Sequence, residues 1–394
     1  LAFGFSNSLE STGGMVMESH SSSFSSAFDY ENFDLDPSVS SVRIGKTTNT
    51  ANVVIKDPVA MAGPISIYGG DILLEEDLTS TLSGADVLVK GRGDVEAVAS
   101  RSFLTNNGDI VFWSNSDNSG VGSIKLGNDN VLNSSNGRSG DTDSGGGKIT
   151  LGGGSGSGTS PTGYSSSSSA PGIKLGTSTS NHTQFYSGGG DISIKGSSTA
   201  TGLVDDRDES GIYQWGRMTM KSGRGAITML GSSTDYQGIG FVAPVSESDV
   251  GAKQLSLVSA KTSGTAIQLT GSSSSGVGVG FNYQNPKEVL SLGGGQVTIS
   301  GTGAGTHGVV MQNLDLLSTA GSLNVYGGTG GVSLGDRGVR FGSEAASAVT
   351  SSTASVTIRG DDLEYNDLVF GFSNSMESTG GVVMESHSNS FSSA

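Results

Sequence analysis

Short alternating runs closed by glycine limit what this chain can fold into. Val42-Arg43-Ile44-Gly45, Ile65-Ser66-Ile67-Tyr68-Gly69, Ile192-Ser193-Ile194-Lys195-Gly196 and Val356-Thr357-Ile358-Arg359-Gly360 are examples among about two dozen such pieces. An apolar side chain at every second position marks a strand with one buried and one wet face. No stretch carries a convincing 3.6-residue helical period, so the chain reads as all-β. Strands of three to five residues with such regular glycine punctuation are too short for a conventional sandwich.

A finer repeat selects the architecture. The pattern I-x-[IML]-x-G starts at Ile192, Ile227 and Ile267, with a variant at Val297, in steps of 35, 40 and 30 residues. Two further strands follow each start. After Ile192 they are Ile212-Tyr213-Gln214-Trp215 and Met218-Thr219-Met220; after Ile227 they are Ile239-Gly240-Phe241 and Leu255-Ser256-Leu257. After Ile267 come Val279-Gly280-Phe281 and Val289-Leu290-Ser291-Leu292. Three strands per turn, repeated along the chain, predict a parallel β-helix in which each strand pairs with its equivalent one coil away. The inward Ile, Val, Leu and Met then share one core that no single coil could bury alone. Glycine at the corners supplies positive φ or room for a sharp bend.

The chain also repeats its own beginning at its end. Residues 3–27 and 370–394 differ at three of 25 positions (Leu9/Met376, Met15/Val382, Ser22/Asn389), at an offset of 367 residues. These are two real copies, and they predict one period of a longer tandem array. At about 30 residues per coil the period makes roughly a dozen coils, or about 60 Å of rod. The expected organisation is a repeat-boundary segment at 1–27, a solenoid body at 28–369 and the start of the next copy at 370–394. Loop insertions are expected near 27–37, 133–147 and 152–170, because solenoid insertions collect at corners. The acidic, aromatic stretch at 27–37 breaks the strand rhythm and reads as a special loop or a contact between units.

Composition excludes several function classes. Gly and Ser are abundant, and 64 of 394 residues are Gly, which raises disorder as an alternative. The 34% hydrophobic residues in short regular runs argue against it. A net charge of −16 disfavours nucleic acid, which needs Lys and Arg against its phosphates. It also disfavours adsorption to anionic lipid and favours solubility and repulsion between rods. No run approaches the roughly 20 apolar residues of a membrane span. The chain has no cysteine, so disulfides do not staple it.

From about Val42 to Gly176 the sequence resembles bacterial surface adhesins of the filamentous-haemagglutinin type. The residues that carry this are IGKTTNTANVVI (44–55), GPISIYGGDILLEEDLTSTLSGADVLVKGRGDV (63–95), NNGDIVFWSNSDNSGVGSIKLGN (106–128) and GGGKITLGGG (145–154). Residues 177–360 match more loosely. The resemblance implies a right-handed parallel β-helix, export to the cell surface, and adhesive or matrix work without catalysis.

Candidate sites are few. Asp205, Asp206, Asp208 and Glu209 form the densest acidic run and are the candidate calcium ligands, since calcium takes six to eight oxygens from flexible loops. A solvated acidic loop is the commoner outcome for such a run. The nonapeptide of calcium β-rolls is absent from the sequence. Tyr213 and Trp215 are candidates for stacking on sugar rings, with core or corner packing as the commoner outcome for such aromatics; if Ile212 points inward, alternation turns both outward. Arg92-Gly93-Asp94 spells an integrin-binding tripeptide but reads first as a glycine corner. Asn133-Ser134-Ser135 and Asn181-His182-Thr183 match the glycosylation sequon, as a Ser-rich chain will by accident. No histidine pair, cysteine nucleophile or G-x-S-x-G elbow suggests catalysis.

The expected function is a structural and adhesive extracellular solenoid, partnered head to tail by other copies of the same repeat and by surface glycans or matrix. It is not expected to be an enzyme or to hold a cofactor. The alternative is a β-helix that processes or binds polysaccharide, which needs carboxylates, Arg or Lys clustered on adjacent coils of one face.

Overall fold

The computed structural model describes residues 7–9, 13–36, 39–178, 182–203, 206–242, 253–282, 286–304, 307–312 and 314–328. It also describes the strands 332–334, 339–342, 356–360, 363–365, 382–386 and 392–393. Side chains are not described in 7–9, at 206–207 or beyond 328.

The chain winds as a parallel β-helix with three faces. The first face runs through 13 strands, from Gly14–Met17 to Val382–Ser386. The second also runs through 13, from Phe28–Tyr30 to Ser392–Ser393. The third runs through ten, from Val59–Met61 to Val339–Gly342. Within each face, successive strands pair in parallel with their equivalents one winding on. A short parallel pair, Asn7–Leu9 with Phe33–Leu35, stands beside these sheets. One 3-10 turn, Asp206–Glu209, is described.

The registers coincide with the sequence period. Ile192 pairs with Ile227, Ile227 with Ile267 and Ile267 with Val297, while Phe241 pairs with Phe281. Counted along the first face, one winding takes from 22 residues (Ile65 to Val87) to 43 (Ile149 to Ile192), and corners absorb the difference. A single residue column on the first face runs from Met15 through Val42, Ile65 and Val87 to Ile110 and Ile149. The same column continues through Ile192, Ile227, Ile267, Val297 and Leu323 to Val356 and Val382. Every member is apolar, and those from Val42 to Leu323 are at most 1% exposed. Fully burying one such Ile or Val is worth about 1.5–3 kcal/mol, and stacking extends that gain winding after winding. Aromatic pairs fill the wider places: Phe103 meets Phe112 edge-on at 5.0 Å, and Phe241 stacks on Phe281 at 4.9 Å.

A hydroxyl column closes the corner after the third face. Thr105, Ser134, Ser187, Ser222, Ser259 and Ser291 are each buried and donate to a corner glycine carbonyl at 2.5–2.7 Å. Those carbonyls lie inside the bend, where no neighbouring strand serves them, so the hydroxyls do.

Two expected loops take a different form. Residues 152–170 do not bulge as a plain loop. Ile149–Ser157 runs on past its coil and turns into Ser160–Gly163, which pairs with it antiparallel, and Ser165–Ser167 then joins Ile192–Ser198 in parallel. Small residues permit this: Gly156 lies against the Trp113 ring, where a Cβ would stand 2.5 Å from it. The described part of 27–37, which ends at Asp36, likewise does not leave the rhythm, because Phe28–Tyr30 opens the second face and Phe33–Leu35 forms the short pair. Its aromatics serve the coil interior: Tyr30 is buried and stacks on Phe33 at 5.0 Å.

Candidate functional site

The outer surface of the second face carries the candidate side chains. Strand Ile212–Trp215 lies between Ile173–Leu175 and Ile239-bearing Gln237–Val242. Ile212 points into the core as expected, and Gln214 follows it inward between Leu175 and Phe241. Tyr213 faces outward by alternation yet is only 1% exposed. Lys174 lies over its ring at 5.9 Å, Trp215 packs beside it at 5.7 Å, and Asp208 holds Lys174 at 2.8 Å. Of the two readings of this aromatic, packing is the one its burial shows: Tyr213 faces outward, yet Lys174 on the preceding winding and Trp215 lie against its ring. Trp215 is half-buried.

The acidic run is only partly brought together. Asp208 is taken up by Lys174, and the buried Glu209 accepts from the Leu203 backbone N–H at 2.5 Å. Asp205 and the side chain of Asp206 lie outside the described residues. No group of three or more metal-ligating side chains occurs among the described residues.

Beside this strand is a cleft of about 430 Å³ lined by Glu96, Lys125, Lys174 and Asp208, with Ala99 and Pro171 on its walls. Both of its lysines are engaged: Lys125 pairs with Asp94, outside the lining, at 3.4 Å and Lys174 with Asp208. Cations and carboxylates on neighbouring coils at a shallow opening suit hydrogen bonding to a polar, hydroxyl-rich ligand.

The Arg92-Gly93-Asp94 tripeptide does not project. Asp94 accepts the Ser123 N–H and hydroxyl at 2.7 and 2.9 Å, Arg92 pairs with Asp117 at 3.3 Å, and a Cβ on Gly93 would meet Asp71. Asn133 of the first sequon is 5% exposed and donates to the Arg138 carbonyl, whereas Asn181 of the second lies outside the described residues. His182 sits between Gln184 at 2.9 Å and Thr219 at 2.8 Å, and burial, with Arg217 nearby, lowers its pKa.

One role of the acidic residues went unread in the sequence. Gly-Asp-Ile/Val recurs at 70–72, 93–95, 108–110 and 190–192. Asp71, Asp94, Asp109 and Asp191 each accept a backbone N–H from the next winding, at 2.7–2.9 Å. The recurrence itself was the available signal. Among the described residues no helix is long and apolar enough to cross a membrane. No family model, curated protein or solved structure matches the chain.

Proposed function

We propose that this chain is a structural and adhesive β-solenoid, one period of a tandem-repeat bacterial surface protein that builds an extracellular rod or fibre. The observation that carries this reading is the placement of the two copies of the repeated segment. Met15–Met17 and Val382–Met384 fall on the same face, 367 residues and twelve windings apart. A period equal to a whole number of windings lets copy follow copy in register on the same face. The acidic balance of −16 keeps such rods apart in solution. Electron microscopy of the natural material tests the reading. Filaments with an axial repeat of about 58 Å, twelve windings at the strand spacing, are expected. Isolated particles that cleave a polysaccharide would overturn it.

The cleft at Lys125 and Lys174 favours a second reading, a carbohydrate contact along the rod. A glycan array on the intact chain and its Lys174→Ala variant tests this. Array signals weakened at least about tenfold in the variant are expected. Signals unchanged by the substitution, or none in either protein, would remove the cleft from consideration.

A further inference from the structure

The two copies of the repeated segment use opposite edges. In the first copy Met15, Val16 and Met17 pair with Val42, Arg43 and Ile44, the strand that follows. In the second copy the same positions, Val382, Val383 and Met384, pair with Val356, Thr357 and Ile358, the strand that precedes. Each copy shows one half of a joint. Superimposed, they give a strand paired on both edges: Val356, residue 15/382 and Val42 in one column, Ile358, residue 17/384 and Ile44 in another. The windings on the two sides are alike, 26 residues from Val356 to Val382 and 27 from Met15 to Val42.

The following side is also held by side chains. Glu18 pairs with Arg43 at 2.7 Å. Lys46 donates to the Ser21 carbonyl at 3.0 Å and Thr48 to the Ser22 carbonyl at 2.6 Å. Asn49 accepts from the Ser23 hydroxyl at 2.8 Å and the Phe24 N–H at 3.1 Å. Glu18, Ser21, Ser23 and Phe24 recur unchanged as Glu385, Ser388, Ser390 and Phe391. Ser22 becomes Asn389, at a contact made through the backbone carbonyl, which the change leaves alone. Met15 becomes Val382 in an apolar column, and Leu9 becomes Met376, apolar in both copies. Along the backbone the register sets Arg359 opposite Glu385.

We infer that strand Val382–Ser386 is a docking surface for strand Ser41–Ile44 of the next copy of this chain, which pairs with it in the register that Met15–Met17 shows with Val42–Ile44. The inference rests on the rod reading and names the partner surface within it. The apolar columns supply the attraction, and the Arg43, Lys46, Thr48 and Asn49 contacts fix the register.

The test extends the full chain by a second copy of residues 28–394 and places cysteines at Val383 and at Arg43 of the added copy. The natural chain has no cysteine, so no other disulfide competes. Val16→Cys with Arg43→Cys in the unextended chain is the standard, because those positions are already register partners. Oxidation is expected to link Val383→Cys to the added Arg43→Cys to within about twofold of the standard. Linkage to a cysteine placed at Val42 or Ile44 instead, or no linkage, overturns the inference. Hydrogen exchange on the extended chain without substitutions reads the joint independently. Amides 41–50 of the added copy must exchange as slowly as those of the first, and fast exchange there overturns the inference even if a disulfide forms. Filaments in the natural material without this linkage would leave the rod and remove the joint, whereas linkage without filaments would do the reverse.

Discussion

Lys287 stands in an inward column between Leu255 and Leu314 and is 2% exposed, with its Nζ on the Gln312 carbonyl at 3.2 Å. Burial pushes its pKa down to about 7 from the ordinary 10.5. Between those two values the unfolded chain holds the proton and the folded chain does not, so this residue makes stability rise with pH across that window. Lys287→Met is expected to raise the melting temperature most at pH 6, by an effect of order 2–4 kcal/mol, and much less at pH 10. Circular dichroism melts at the two pH values check it; a gain that grows with pH would contradict it. Glycine makes a second prediction at the same scale. A Cβ on Gly190 would collide with the Gly147 carbonyl of the preceding winding. Gly264 has φ 67° with open space around it. Gly190→Ala is expected to cost about 2 kcal/mol or more, on the order of a core lesion, and Gly264→Ala about 1 kcal/mol for its left-handed backbone. Comparison of the two unfolding midpoints decides between a steric and a purely conformational need for glycine at this corner. The need for corner glycines was legible from their spacing, but the lysine was not, because nothing in Pro286-Lys287-Glu288 marks an inward position.

At the scale of elements, the arm formed by Ile149–Ser157 and Ser160–Gly163 covers an apolar patch on the outside of the first face. Leu88, Val111 and Trp113 form that patch, Lys90 lies over the Trp113 ring at 3.5 Å, and the indole N–H donates to the Gly154 carbonyl at 2.9 Å. Desolvation there lowers the Lys90 pKa. Removing residues 155–162 is expected to shift the tryptophan emission to the red, since Trp113 is one of only two tryptophans, while the far-ultraviolet spectrum keeps its strand signature. Loss of the strand signal would show that the arm holds the coils together rather than covering one face. The coils themselves were legible because alternation and glycine report a strand locally. Ile192, Ile227, Ile267 and Val297 align by their spacing in the sequence alone, and the same four residues pair in register. The arm was not legible, since Gly152 to Ala170 has no alternation and Tyr164 as its one large hydrophobic residue, and its hydrogen bond to Trp113 spans 41 residues. The burial of Tyr213 was hidden for a related reason: alternation gives direction, but cover comes from Lys174, its partner on the preceding winding, and from Trp215.

For the whole molecule, one oily column shared by three stacked sheets explains length tolerance, composition and repetition together. Windings that differ in length as much as Val53 to Ile72 and Val131 to Gln184 stack because only the inward positions must match. In the proposed rod the same economy fits the end of one period to the start of the next, and the near-identical segments lie on one face twelve windings apart. Stability in such a stack is a sum of nearest-neighbour terms, so arrays are expected to melt at higher temperature as periods are added, until the terms saturate. X-ray diffraction from oriented natural fibres tests the central claim most directly. A reflection near 4.8 Å along the fibre axis is predicted, from strands lying across the axis, with layer lines at about 58 Å from the twelve-winding period. A 4.8 Å reflection at right angles to the axis, or an axial period that is not a whole number of windings, would contradict it.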